Sequence, residues 1–346
     1  MKVHSLPWKK AGSSLDSSLN RPPPEIQPPS GPVKRTTAPA TDGDAAAREV
    51  AVSVRQRLFH LARERREDLQ LLLASYAIER LLYRLSCSPH AGHFILKGAP
   101  LFPLWGEGRY RAIRDLDLSG HGDRDIHHVE KTFREICRTE VVADGLQFLE
   151  DTVRAEETVR DPGHSSLRIT LKARIAQARV DIQVDIRFGD VVTRGPQMVE
   201  LPTILAFPGP RLKAYSLETF IAEKFQAMVV LGMANGRMGD FYDVWTLAKR
   251  FRFEGHPLSK AIRETFAGRR TRLPEMIPLG LTPAFYDSRD KKTLWAAFFN
   301  TGRLRSEKLG LGEVASFLGA FLMPPTLPVS DGKPFHLVWP PSGPWC

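Results

Sequence analysis

Between residues 46 and 87 apolar side chains recur at steps of three and four. Leu71, Leu72, Tyr76, Ile78, Leu81, Leu82 and Leu85 carry the clearest stripe, with Arg80 and Arg84 between them. The spacing predicts two helices, over 46–66 and 67–87, which Pro89 and Gly92 bring to an end. Phe94-Ile95-Leu96-Lys97 then reads as a short buried strand, Gly98-Ala99-Pro100 interrupts it, and a helical turn is expected from Leu101 to Trp105. Residues 115–119, DLDLS, look like a strand. Ile126–Cys137 is amphipathic at helical period, with Asp125 as its N-cap.

From about residue 140 to 192 the period changes to two. LRITLKARI alternates Leu167, Ile169, Leu171 and Ala173 with Arg168, Thr170, Lys172 and Arg174. VDIQVDIRF alternates Val180, Ile182, Val184 and Ile186 with Asp181, Gln183, Asp185 and Arg187. Each is the pattern of a strand with one buried face. From Ser216 onward helices return, over 216–231, 240–251, 257–267, 289–300 and near 312–322. The outline is an α+β fold, a mixed sheet with flanking helices followed by a helical half. Four segments are expected: a Pro-rich tail over 1–45, a sheet core with its N-terminal helices over 46–210, a helical domain over 211–323, and a second Pro-rich tail over 324–346. The first tail cannot bury enough apolar area to offset its ordering entropy. In the second, Phe335, Leu337 and Val338 are available for docking.

Composition narrows the class. A chain of 346 residues with 42% hydrophobic and 25% charged side chains has enough material for a large core, so wholesale disorder is excluded. No apolar run approaches the roughly 20 residues that span a bilayer, and the N-terminus lacks the apolar stretch of a secretory signal. Cys87, Cys137 and Cys346 are too scattered for a disulfide framework or a zinc cluster. A cytoplasmic protein is the expectation. The net charge of +10 suits a polyanionic partner without requiring one.

The sharpest chemical feature is Asp115-Leu116-Asp117. On a strand, residues i and i+2 share a face, so both carboxylates project together while Leu116 turns to the core. Their repulsion is relieved by a cation between them, and Mg²⁺ takes such oxygen ligands together with substrate phosphates. The plain alternative is a pair of solvated acids. Asp185, on the polar side of its strand, can supply a third carboxylate, and Asp181 shares its facing and is a rival. Three such acids suit metal-assisted phosphoryl or nucleotidyl transfer. Lys97-Gly98-Ala99 follows a strand, where glycine lets backbone N–H groups approach a phosphate, although Gly98 also serves as an ordinary turn.

Further on, Ser216 is a good N-cap for a helix whose buried stripe is Leu217, Phe220, Ile221, Phe225 and Met228. Lys224 lies beside that stripe, and such a lysine snorkels or meets an acid or phosphate. Asp240 and Asp243 share a face of the next helix. A helix hairpin stapled by Lys224 or Arg237 to these aspartates is the structural alternative to a role toward phosphate.

Together, FILKGAPLFPLWGEGRYRAIRDLDLSGHGD, VDIQVDIRFGD and YSLETFIAEKFQAMVVLGMANGRMGDFYDVWTLAKRF resemble the AbiEii/AbiGii family of nucleotidyltransferase toxins, in order and at similar spacing from about residue 50 to 325. The resemblance implies a polymerase-β-like nucleotidyltransferase core with an appended C-terminal helical domain. It implies a phage-defence toxin of a type IV toxin–antitoxin, or abortive-infection, system. Its cofactor would be Mg²⁺, with Mn²⁺ as a substitute, and its substrates a nucleoside triphosphate and an RNA acceptor, tRNA. Its genetic partner would be a winged-helix transcriptional repressor acting as antitoxin without a stable complex.

By position, the resemblance makes Asp115, Asp117 and Asp185 metal ligands and catalytic acids. Lys224 would neutralise the triphosphate, and Asp240 would orient that lysine or the nucleotide. Lys97, Gly98, Ala99, Arg114 and Asp243 would bind nucleotide. The loop Gly98-Ala99-Pro100 departs from the family's Gly-Gly-Thr. It lacks the hydroxyl, and Pro100 lacks an N–H, which shifts the phosphate grip toward Lys97, Arg114 and Lys224. Two other functions compete: a phosphotransferase acting on protein, including itself, and a non-enzymatic RNA-binding protein using Lys172, Arg174 and Arg187.

Overall fold

The computed structural model describes residues 42–105, 115–158, 166–189, 195–302, 309–330 and 334–346. The N-terminal tail up to residue 41 and Arg114 lie outside these residues. Helices α1 (Asp42–Arg65) and α2 (Leu69–Cys87) come first. The Asp68 carboxylate starts α2 by accepting the N–H groups of Gln70 and Leu71 at 2.9 and 3.1 Å, two donors with no partner inside the helix. Strand β1 (Phe94–Lys97) leads into a 3₁₀ turn over Ala99–Leu104, and β2 (Asp115–Gly120) follows. Asp125 caps α3 (Ile126–Arg138) through the His128 N–H at 2.9 Å, as its sequence position predicts.

Strands β3 (Leu146–Thr158), β4 (Ser166–Ile175) and β5 (Ala178–Phe188) form an antiparallel meander. Two short strands, β6 (Gln197–Glu200) and β7 (Arg211–Ala214), have too few residues to show a period, and the sequence pattern does not reveal them. The seven strands make one mixed sheet in the order β3-β4-β5-β2-β1-β7-β6. β2 is parallel to β5 and antiparallel to β1, and β1 is parallel to β7. Leu116, Leu118, Ile169, Val184 and Ile186 form the apolar side of the sheet. They share a buried cluster with Val54 and Leu58 of α1, Leu81 and Leu82 of α2, and Val129 and Phe133 of α3. The opposite side of the central strands carries the charges.

The helical half comprises α4 (Leu217–Leu231), α5 (Met238–Arg250), α6 (Gly255–Gly268), α7 (Pro283–Tyr286), α8 (Arg289–Gly302) and α9 (Leu311–Ser330). It has its own apolar cluster, which runs from Phe220 to Trp339 and takes in Phe102 from the turn after β1. The Phe102 and Phe220 rings meet edge to face at 5.5 Å. That contact ties the loop after β1 to α4.

The last helix outruns its sequence signal. Prolines at 324, 325 and 328 suggest an end near residue 322, yet α9 continues to Ser330. Pro325 has no N–H to give the Phe321 carbonyl. The indole of Trp345 supplies one instead, at 2.9 Å. Trp345 belongs to a C-terminal strap in which Phe335 and Trp339 are buried and Leu337 is exposed. Its strand β9 (Val338–Trp339) pairs with β8 (Phe253–Glu254), and the Trp339 indole donates to Ala248 O at 2.8 Å.

Candidate active site

The ladder decides which carboxylates meet. β2 and β5 run parallel with Asp117 directly opposite Asp185 and Asp115 opposite Gln183. Paired positions in a sheet share a face about 5 Å apart. Asp115, Asp117 and Asp185 therefore lie on one face in adjacent positions. Asp181 is exposed and lies one alternation beyond Gln183, away from Asp117. The register thus separates two acids that periodicity alone leaves equivalent.

The same lateral row continues in both directions. Lys97 on β1 opposes Asp117, Arg168 on β4 opposes Asp185, and Glu156 on β3 opposes Arg168. Five strands thus present Lys97, Asp117, Asp185, Arg168 and Glu156 side by side. Arg168 Nε binds Asp185 Oδ1 at 2.9 Å, and Gln183 Nε2 donates to Asp185 Oδ2 at 3.2 Å. The hydrogen bond to Asp185 raises the Arg168 pKa above its ordinary value, against the opposing effect of burial.

Gly98 sits beside Asp117 with φ of +79°, a conformation open to glycine. A Cβ there would lie 2.8 Å from Asp117 Oδ2. The glycine expected as a phosphate-loop residue is thus needed for close approach to the first acid pair. Ala99 begins the 3₁₀ turn and does not line the cleft.

Across from β1 and β2, α4 forms the second wall of a cleft of about 530 Å³. Asp117, Lys97 and Gly98 line one side, and Phe220, Glu223 and Lys224 line the other. Arg187, Arg237 and Arg269 complete a predominantly cationic lining. Asp115 and Asp185 stand outside it, on the sheet face that continues from Asp117.

Lys224 lies over the Phe220 ring at 4.7 Å, one helical turn along α4. Its Nζ is 2.5 Å from Asp240 Oδ1 and 3.0 Å from Asp243 Oδ2. Arg237 Nε is 2.7 Å from the other oxygen of Asp240. Burial opposes the lysine charge, but Asp240 and Asp243 outweigh it and raise the Lys224 pKa. Burial likewise opposes ionisation of Asp240, and Lys224 and Arg237 overcome it to lower that pKa. Asp240 and Asp243 are buried behind the lysine and do not line the cleft. The staple is formed, and Lys224 also lines the cleft, because two acids hold the lysine at the wall.

Glu223 joins the two sides. It is 2.5 Å from Arg269 and 3.9 Å from Lys97, and the Tyr215 hydroxyl donates to it at 3.4 Å. Sequence reasoning missed Arg168, Glu223 and Arg269 as site residues. Glu223 is adjacent to Lys224 and was findable. Arg168 needed the strand register, and Arg269 enters from the far end of α6.

The donor chemistry suits a hard cation, since the three acids offer only oxygen. As they stand, among the described residues no three acidic, histidine or cysteine side chains are gathered closely enough to ligate one ion. Arg168 and Gln183 occupy both Asp185 oxygens, Asp115 is exposed, and Asp117 lines the cleft.

The family model described as Nucleotidyl transferase AbiEii toxin, Type IV TA system, matches residues 80–308. The chain belongs to this family. Seven of its described strands form one mixed sheet with flanking helices, the α+β outline the sequence predicts. Among solved structures, the chain is similar to MenT4, a nucleotidyltransferase toxin of Mycobacterium tuberculosis H37Rv. The identity is 18% and the TM-score 0.43, over 61% of this chain and 68% of that one. JHP933 of Helicobacter pylori aligns at 14% identity and TM-score 0.43, over 77% of this chain and 96% of that one. No curated protein sequence matches significantly. As an AbiEii toxin, the chain is a transferase whose family implies a nucleotide substrate and an antitoxin partner. No described helix is long and apolar enough to cross a membrane.

Proposed function

We propose that this AbiEii toxin transfers a nucleotide from a nucleoside triphosphate to an RNA acceptor, with tRNA as the acceptor class, in a Mg²⁺-dependent reaction in the cytoplasm. The observation that carries this reading is the pairing of Asp117 and Lys224 on opposite walls of one cationic cleft of about 530 Å³. That volume suits a nucleotide-sized ligand. Residues 46–210 would carry the catalytic face and residues 211–323 the opposing wall. A winged-helix repressor would serve as its antitoxin.

Asp115 and Asp117 would hold the metal, and Asp185 would join them if its pairing with Arg168 gives way. A divalent ion there would neutralise the triphosphate and the charge that develops at the reacting phosphate. Lys224 would hold the triphosphate against the α4 wall, kept cationic by Asp240 and Asp243. Lys97 and Arg269 would exchange Glu223 for phosphate oxygens, so that an internal carboxylate gives place to the substrate's charge. Where the Arg168 pair is kept, Asp185 would instead accept the proton of the incoming RNA hydroxyl as that oxygen bonds to the α-phosphorus and pyrophosphate leaves.

The test is incubation with α-labelled nucleoside triphosphates, Mg²⁺ and bulk tRNA. Label should appear on RNA with the wild type and fall at least a hundredfold with Asp117→Asn. Label confined to protein from a γ-labelled triphosphate would replace this reading with phosphotransfer.

A further inference from the structure

The cleft accounts for a nucleotide but leaves the longer polyanion without a path. Strands β3, β4 and β5 bury one side against α1, α2 and α3. On the other side Arg154, Lys172, Arg174 and Arg179 are exposed. Arg174 and Arg179 are direct partners on β4 and β5, next to the hairpin turn. Like charges directly opposite in a ladder are destabilising. The neighbour of Arg174 on β3 is Gln147, and neither arginine has an ion-pair partner among the described residues. A repulsive pair placed on an open face makes sense if an external anion relieves it.

Along β5, Arg179 and Asp185 are six residues apart, about 20 Å at about 3.3 Å per residue. Between them lie Lys172, with Asp181 beside it, and then Arg168 against Asp185 itself. Cations gather at the Arg174–Arg179 end, and beyond it Lys172 and Arg168 each face an acid, Asp181 and Asp185, on the way to Asp117.

Resting on the nucleotidyl-transfer reading, we propose that the RNA acceptor docks its phosphate backbone on this open face. It would enter over Arg174 and Arg179 and run past Lys172 toward Asp185 and Asp117. The paired positions of the face include no aromatic side chain, so bases have no stacking platform. Recognition is by phosphate and is insensitive to sequence. An acidic protein is the weaker occupant, because the face lacks the apolar centre of a protein interface.

The experiment measures Kd by fluorescence anisotropy for a fluorescein-labelled RNA hairpin with a single-stranded 3′ end, across a salt series. Arg179→Glu replaces a repulsive cross-strand pair with an attractive one. It should raise the melting midpoint slightly and weaken RNA binding about tenfold, and the salt slope should shrink by roughly 0.7 or more for each phosphate that is no longer neutralised. Affinity for a fluorescent nucleoside triphosphate should stay unchanged. Arg55→Glu, an exposed position on α1, controls for net charge. RNA binding unchanged in Arg179→Glu, equal weakening in the α1 control, or equal competition by polyglutamate would each overturn the proposal. RNA binding that depends on Arg179 in a protein with no transferase activity would sink the catalytic reading and leave the docking face standing.

Discussion

Arg168 Nε lies 2.9 Å from Asp185 Oδ1, so one of the three candidate acids already carries its own counter-ion. The carboxylate is largely buried, while the guanidinium is a quarter exposed. The pair stabilises Asp185 beside Asp117, where two unscreened carboxylates would repel.

Arg168→Ala should therefore lower stability by about 1–2 kcal/mol, below the cost of breaking a fully buried pair because the arginine is partly solvated. Millimolar Mg²⁺ should restore more of the melting temperature in this variant than in wild type, since a bound cation replaces the missing charge. Equal Mg²⁺ responses in the two thermal melts would contradict a metal at these acids.

Asp115→Ala and Lys224→Ala should separate function from fold. Asp115 is exposed, so its loss should shift stability by less than about 0.5 kcal/mol while abolishing growth arrest. Lys224→Ala strands Asp243 as a buried charge, leaves Asp240 with Arg237 alone, and should cost about 3 kcal/mol or more. Urea melts of the two proteins check this. The lysine variant alone therefore says little about catalysis.

Stability should fall at both pH extremes through the same cluster. Asp240 has a lowered pKa. Its contribution is present above the ordinary carboxylate value of 3.8 and is lost as pH falls through its folded value. Lys224 has a raised pKa, so its contribution is full below 10.5 and is lost as pH rises beyond that. In Asp240→Asn, urea midpoints should depend less steeply on pH in the acid arm. A slope equal to wild type would mean that Asp240 is not the group responsible.

Gly98→Ala should strain φ of +79° and push Cβ into Asp117 Oδ2. A cost of about 1–2 kcal/mol is expected, with a larger proportional loss of transfer rate than of triphosphate affinity. Unchanged single-turnover rates would show that Asp117 tolerates displacement.

Trp339→Ala should destabilise by about 3–5 kcal/mol, since the ring is buried between Phe317 and Phe321 and its indole is bonded. Chemical denaturation measures it. A change below about 1 kcal/mol would mean that the C-terminal strap is dispensable.

Much of the fold was legible in the sequence because its signals are local. Alternation over residues 167–175 and 180–188 marks two strands, and Asp125 and Ser216 mark helix starts by chemistry acting within three residues. Asp115 and Asp117 share a face because a strand repeats every two residues. By contrast, β6 and β7 are too short to show a period, and prolines in α9 argue for an end that does not occur. There a distant tryptophan supplies the missing donor.

The site divides along the same line. From sequence alone came the acid pair, the lysine beside a buried stripe and the two aspartates after it, since each is set by spacing along one element. Which acid of β5 meets Asp117, that Arg168 neutralises it, and that Glu223 links Lys97 to Arg269 were settled only by tertiary structure. Strand register and helix docking join residues far apart in the chain, and the free energy that selects those pairings belongs to the whole packed core rather than to any local window.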